Sequence, residues 1–294
     1  MLLNILSVIA PVFLCALIGF FWVKRGLTFD TPFVSTLVME IGAPCLIFST
    51  FMEIEIDMSA FRSMAGAAFA AMLTFGVVAA SVLKICKLDQ RTWLPTQMFP
   101  NVGNMGLPLC LLAFGDEGLA LGLTYFMVNM VFGFTLGAAI TSGKFSFNDL
   151  GKNPVFYAVI ITLGFLFTDS KPPEWIQNTT SLLGNLTIPM MLIAMGVSLA
   201  RFKIKSIKRS LALSGLRIGM GFGVGVVLAA ILNIEGVARG ILILQSAMPV
   251  AVFSYLFAVR YNRSPEEVAG TVMISTILSF LTLPLLLWYV LPGS

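Results

Sequence analysis

The chain has 294 residues, of which 58% are hydrophobic and 11% charged, with a formal net charge of +4 and no histidine. Soluble domains carry about 25% charged residues, so a soluble globular protein is excluded. Without His the commonest metal ligand and general base are missing, so neither a metal centre nor a His-dependent hydrolase is expected, nor an enzyme in so apolar a chain.

A helix that crosses the hydrocarbon core needs roughly 20 apolar residues. Apolar length, read against turn and charge breaks, predicts ten spans near 2–23, 31–51, 61–86, 93–114, 117–142, 154–169, 175–200, 210–233, 239–260 and 266–291. The sixth is the shortest and ends at Asp169-Ser170-Lys171-Pro172-Pro173. No segment between spans is long enough for a soluble domain, and no cleavable leader is expected ahead of the first span. Function is therefore expected inside the helices. Cys15, Cys45, Cys86 and Cys110 share no metal-ligand spacing and read as reduced, buried small hydrophobes. The Met and Phe residues read as packing and lipid contact.

In the second span Glu40 is the one acid clearly deep in a helix, where an ionised carboxylate costs several kcal/mol unless paired or wet. It reads either as a proton-coupling group or as a carboxylate bonded at a scaffold or dimer interface. The fourth span reads Pro95-Thr96-Gln97-Met98-Phe99-Pro100-Asn101-Val102-Gly103-Asn104-Met105-Gly106-Leu107-Pro108. Each proline removes a backbone donor and clashes with the preceding turn, so a break is expected there. In the eighth span Arg217 reads first as a snorkelling side chain and second as a cation balancing Glu40 or a substrate. The ninth span carries a milder interruption, Gln245-Ser246-Ala247-Met248-Pro249-Val250.

Lys and Arg gather after odd-numbered spans: Lys24 and Arg25, then Lys84, Lys87 and Arg91, then Lys144 and Lys152, then Arg201 to Arg209, then Arg260 and Arg263. After even-numbered spans stand Arg62, Lys171 and Arg239. The positive-inside rule then makes the odd loops cytoplasmic and puts both termini outside. Basic residues dispersed over short loops do not suggest a nucleic-acid partner.

Sliding the second half onto the first so that Pro249 meets Pro100 also brings Pro265-Glu266-Glu267-Val268-Ala269 onto Asp116-Glu117-Gly118-Leu119-Ala120, and a slightly shorter offset brings Pro189 onto Pro44. The unit is five spans, and an odd-numbered unit in tandem inserts in opposite orientations. The expected division is 1–142 and 154–294. Two interrupted helices at equivalent places of an inverted repeat point to a midplane site, where half-helix N–H groups offer partial positive charge to an anion.

Gly103-Asn104-Met105-Gly106-Leu107-Pro108-Leu109 and Phe114-Gly115-Asp116-Glu117-Gly118-Leu119-Ala120 resemble the fourth-to-fifth helix region of the auxin efflux carrier family, including its bacterial permeases. The stretch from Gln245 to Pro249 through Arg260-Tyr261 to Pro284 is similar in the same way. The resemblance implies an all-α polytopic membrane protein of ten transmembrane helices in two inverted five-helix repeats, with broken, crossing fourth and ninth helices. It further implies a scaffold of helices one, two, six and seven, often dimeric, and a transport unit of the other six that moves like an elevator. Plant members carry auxin, and bacterial members are associated with malonate, malate and related carboxylates. Pro100-Asn101 match the family's Pro-Asn at the crossing, where the Asn contacts a substrate carboxylate, and Asn129 falls where plant members have a site-lining Gln. The plant members' long cytoplasmic loop has no counterpart here.

The expectation is a secondary transporter of small organic anions in the cytoplasmic (inner) membrane. It would have Pro100, Asn101, Asn129, Gln245, Ser246, Pro249 and Val250 at the substrate, Glu40 as a proton-coupling candidate, and no cofactor or metal. No GxxxxGK[ST] loop offers direct ATP drive. Competing readings are a sodium-coupled organic-anion symporter of the same broken-helix fold and a membrane anion sensor that binds without transporting.

Overall fold

A computed structural model describes residues 2–53, 57–144, 151, 154–168, 170–202 and 205–291. Lys152, Asp169 and Lys203, used above for breaks and orientation, lie outside the described residues. Among the described residues the regular structure is helical, with one isolated β-bridge between Pro100 and Val250. The helices are α1 (Leu2–Lys24), α2 (Thr31–Leu37), α3 (Ala43–Glu53), α4 (Met58–Ile85), α5 (Gln90–Met98), α6 (Leu107–Phe132), α7 (Ala138–Ser142), α8 (Pro154–Thr168), α9 (Glu174–Arg201), α10 (Ile207–Ile231), α11 (Gly236–Ser246), α12 (Val252–Arg260) and α13 (Pro265–Val290). Among the described residues seven helical stretches are long and apolar enough to cross a membrane, and α8 is a shorter apolar helix. The protein is a polytopic helical membrane protein.

Three wider π-turn segments, Val38–Gly42, Val102–Gly106 and Gly133–Gly137, join α2 to α3, lead into α6 and join α6 to α7. Two of them immediately precede a proline near the next helix start, Pro44 and Pro108. A proline has no N–H to give and its ring crowds the carbonyl one turn back; opening that turn to an i→i+5 pattern relieves the crowding. Within α6 the chain turns at Gly115, whose φ of 67° and ψ of −155° suit a residue without a Cβ. That kink separates the expected fourth and fifth spans.

The helices pack as two groups. In one, α9 lies along α1 and α3, and α3 lies against α8. Gly19 and Gly196 make the α1–α9 contact close: a Cβ on Gly19 would collide with the Ile193 carbonyl, and one on Gly196 with that of Ala16. Small residues at such seams let helix backbones approach in a membrane. Arg201, at the end of α9, ties this group to the start of α2 through Thr31 Oγ1 and the Phe29 carbonyl, both at 2.7 Å. In the other group α4 packs on α5 and α6, and α10 on α4, α11 and α13.

Two side-chain expectations change. Cys110 is buried, but Cys15 and Cys45 are half-buried, Cys15 still packing against the core, and Cys86, capping α4, is exposed. Arg217 does not snorkel. It is fully buried on α10, for a reason that lies in the site.

Candidate functional site

The site is built where two helices stop in the middle of the bundle. α5 ends at Met98, and Phe99 is extended (φ −106°, ψ 107°). α11 ends at Ser246, and α12 starts after Ala251, also extended (φ −65°, ψ 138°). The two breaks pair with each other as a two-rung antiparallel ladder. The Asn101 N–H donates to the Pro249 carbonyl at 2.8 Å, and the Ala251 N–H donates to the Phe99 carbonyl at 3.1 Å. Pro100 and Pro249 have no N–H to place, so the residues beside them satisfy the backbone across the crossing. Val250 contributes its N–H to Ser275 Oγ of α13 at 3.1 Å. Open backbone at such depth persists only when its groups find partners or line a cavity, and here both occur.

A cavity of about 150 Å³ adjoins the crossing. Asn101 to Asn104 and Ala251 to Phe253 line it from the two breaks, Asn129 and Met130 from α6, and Val38 and Met39 from the opposite helix group. It therefore lies between the two groups of helices. Asn101 is 4% exposed and Asn129 0%. The Nδ2 of Asn101 and both amide atoms of Asn129 have no hydrogen-bond partner. A buried amide left unpaired costs about 1–3 kcal/mol, so these groups mark a place arranged for a polar visitor. The Val102 N–H is taken by the Pro100 carbonyl at 2.8 Å, whereas α12 starts at the same cavity with Val252 and Phe253, and helix starts favour negative charge.

The sequence-predicted residues divide at this point. Pro100, Asn101 and Asn129 line the cavity. Pro249 and Val250 form the crossing, without being among the lining residues. Gln245 and Ser246 are fully buried behind it. The Gln245 amide donates to the Gly122 carbonyl at 3.3 Å, and Ser246 Oγ shares a hydrogen bond of 3.0 Å with the Tyr125 hydroxyl. Glu40 stands in the segment between α2 and α3 with its side chain exposed on the outer surface, while its neighbours Val38 and Met39 face the cavity.

Sequence reasoning missed the aromatic part of the site. Phe126, Phe134 and Phe253 line the cavity and so do more than pack or meet lipid. Phe253 stacks with Phe134 (centroids 6.4 Å apart) and touches Phe99 (5.6 Å). Gly133 and Gly137 make room, since a Cβ at Gly137 would lie 2.8 Å from the Phe99 ring. The available signal was Phe253 standing in the first turn after the Pro249 break.

Apolar helices broken in mid-bundle, with a cavity at the break into which a few polar side chains project, are the architecture of membrane carriers. A family model described as membrane transport protein matches residues 4–145 and 143–287. The chain belongs to that family, the auxin efflux carrier family. It is similar to an uncharacterized transporter of Methanocaldococcus jannaschii, 25% identical over 97% of this chain and 99% of that one. It is also similar to an uncharacterized transporter of Methanothermobacter thermautotrophicus, 26% identical over 87% of this chain and 88% of the other. Family and relatives make this a transporter rather than an enzyme.

Proposed function

We propose that this protein is a secondary carrier of small organic anions, working by elevator-type alternating access. The observation that carries the reading is the pair of buried, unpartnered amides of Asn101 and Asn129 facing one cavity at the crossing. Neutral donors and helix starts can hold a carboxylate without a fixed countercharge. None of the residues lining the cavity is charged, and Phe126, Phe134 and Phe253 supply apolar surface. A single carboxylate on an apolar body fits this lining better than a compact dianion such as malonate or malate. A cavity of about this volume in another protein takes up benzene, so a ring-sized body fits.

In this reading the helices form ten spans in two inverted five-helix repeats, 1–142 and 154–294. The α5–α6 stretch up to the Gly115 kink would be the fourth span, and α11–α12 the ninth. The reciprocal bonds between residues 99–101 and 249–251 support the inverted relation. The division of packing supports a scaffold of α1, α2–α3, α8 and α9 against a mobile unit of the remaining helices, with a homodimer formed through the scaffold. If the odd loops are cytoplasmic and both termini outside, the lining residues Val34 and Ser35 at the start of the second span support a cavity open toward the cytoplasmic side, an inward-facing state in the inner membrane.

The test is current from purified protein in liposomes on a solid-supported electrode, challenged with malonate, malate, auxin and simpler aromatic and aliphatic monocarboxylates at two pH values. Currents for the monocarboxylates, larger than those for the dianions, are the expected outcome. Currents only for dianions would overturn the substrate class.

A further inference from the structure

Arg217 is the deepest charge in the described protein, fully buried in the middle of α10. Its guanidinium donates to three backbone carbonyls, and all three are freed by the helix breaks. Nη1 bonds the Gln97 carbonyl at 2.5 Å, in the last turn of α5; Nη2 bonds the carbonyl of Ser246, the last residue of α11; Nε bonds the Met248 carbonyl at 3.3 Å, inside the second break. The Phe75 ring of α4 covers one face, 4.4 Å from Cζ. Among the described residues no carboxylate pairs with it. Gly221, one turn along α10, allows the approach, since a Cβ there would collide with the Ser246 carbonyl and stand 2.7 Å from Arg217 Nη2.

The C-terminal ends of half-helices carry partial negative charge, and in carriers with broken helices such ends, with unwound carbonyls, coordinate the coupling sodium ion. Here two such ends converge on a side chain that already carries the positive charge and fits the carbonyls with fixed donors. We propose that Arg217 is a built-in cation occupying the position of a coupling sodium ion, so that the crossing holds together, and transport runs, without sodium. A guanidinium keeps its charge across the physiological range, so this cation neither leaves nor titrates during the cycle. Arg217 is a positioning residue: it holds the ends of α5 and α11, and through them the backbone that presents Asn101.

The inference rests on the carrier reading for its transport consequence, and the test has one arm that needs no transport. Thermal unfolding of the full-length protein is compared in choline, sodium and low-millimolar guanidinium chloride for wild type, Arg217→Ala, Arg217→Gln and Arg217→Lys. Wild type is expected to unfold at the same temperature in sodium and choline. Arg217→Ala is expected to unfold earlier and to be restored by guanidinium at concentrations that leave wild type unchanged, and Arg217→Lys to stay closest to wild type. Overturning results are stabilisation of wild type by sodium, an Arg217→Ala or Arg217→Gln protein as stable as wild type, or a folded Arg217→Ala indifferent to both added cations. If the neutral variants do not fold, Arg217→Lys decides: a folded, sodium-indifferent lysine variant supports the charge, and one that fails equally assigns the position to packing and overturns it. In the second arm, wild-type counterflow of labelled auxin and malonate is expected to agree within about two-fold in sodium and choline. A dependence on sodium of about ten-fold, typical of coupling, overturns the inference and leaves the carrier reading standing. Absence of counterflow in every medium removes the carrier reading, and the unfolding data still judge Arg217.

Discussion

The backbone N–H of Asn101 donates to the carbonyl of Pro249 at 2.8 Å, across a gap between two helices far apart in sequence. That bond satisfies the Asn101 backbone inside the crossing and leaves its side-chain amide facing the cavity without a partner. One residue thus holds the break together and offers itself to a ligand.

Asn129 gives a prediction in which stability and function move apart. Both of its amide atoms are buried and unpartnered. Asn129→Leu keeps a similar volume and removes the unsatisfied groups, so it is expected to raise the unfolding temperature, corresponding to about 1 kcal/mol or more, while transport falls by about ten-fold or more. Loss of transport with lowered stability would assign Asn129 to structure.

Phe253 is predicted to recognise the apolar body of the substrate. Replacing it with Ala removes buried aromatic surface from the cavity, and a lost aromatic contact costs about 1–3 kcal/mol in binding. The apparent KM for an aromatic acid is expected to rise by about ten-fold or more, with a smaller rise for a short aliphatic acid. Equal effects on both would refute the assignment.

Glu40 lies on the outer surface, beside residues that line the cavity but facing away from them. Glu40→Gln is therefore expected to leave the response of transport to a pH gradient unchanged and to alter dimer stability instead, measured by crosslinking in liposomes. Loss of the pH response in that variant would restore Glu40 as a proton-coupling group.

Asp89 caps α5, the helix that runs to the first break, accepting from the Thr92 hydroxyl at 2.6 Å and from the Thr92 N–H at 3.0 Å. The Thr92 hydroxyl is the main cause that holds its carboxyl below the ordinary Asp value. A carboxylate whose pKa is depressed in the folded state contributes stability that is present above the unfolded value of about 3.9 and lost as pH falls through the folded value. Asp89→Ala is expected to cost about 1 kcal/mol at neutral pH and to lose less than wild type on acidification to about pH 3. Parallel unfolding curves for the two proteins over that range would contradict the role.

Much of the helix layout was legible because apolar length and turn chemistry act locally: the second span, expected over 31–51, is observed as α2 to α3, Thr31 to Glu53. Pro100 and Pro249 marked the breaks, yet proline alone does not break a helix, since Pro11, Pro95, Pro189 and Pro284 stand inside continuous ones. What distinguishes Pro100 and Pro249 is a second broken segment to pair with, which is a tertiary fact. Arg217 was misjudged for the same reason. Its three acceptors come from residues 97, 246 and 248, so neither the buried face of α10 nor the partners waiting there could be read from the span itself. Phe134 and Phe253 have the same composition as lipid-facing phenylalanines, and only the packing of α12 beside Gly133 and Gly137 turns them toward the cavity.

The central claim is that an organic anion is carried through the crossing beside Asn101, and counterflow of labelled acid into sealed proteoliposomes tests it most directly, because it detects electrogenic and electroneutral exchange alike. The account predicts accumulation of a labelled monocarboxylate by wild type and about ten-fold slower accumulation at the same concentration by a stably folded Asn101→Ala. Binding of the acid to wild type in detergent without accumulation in vesicles would contradict it and make the protein a sensor rather than a carrier.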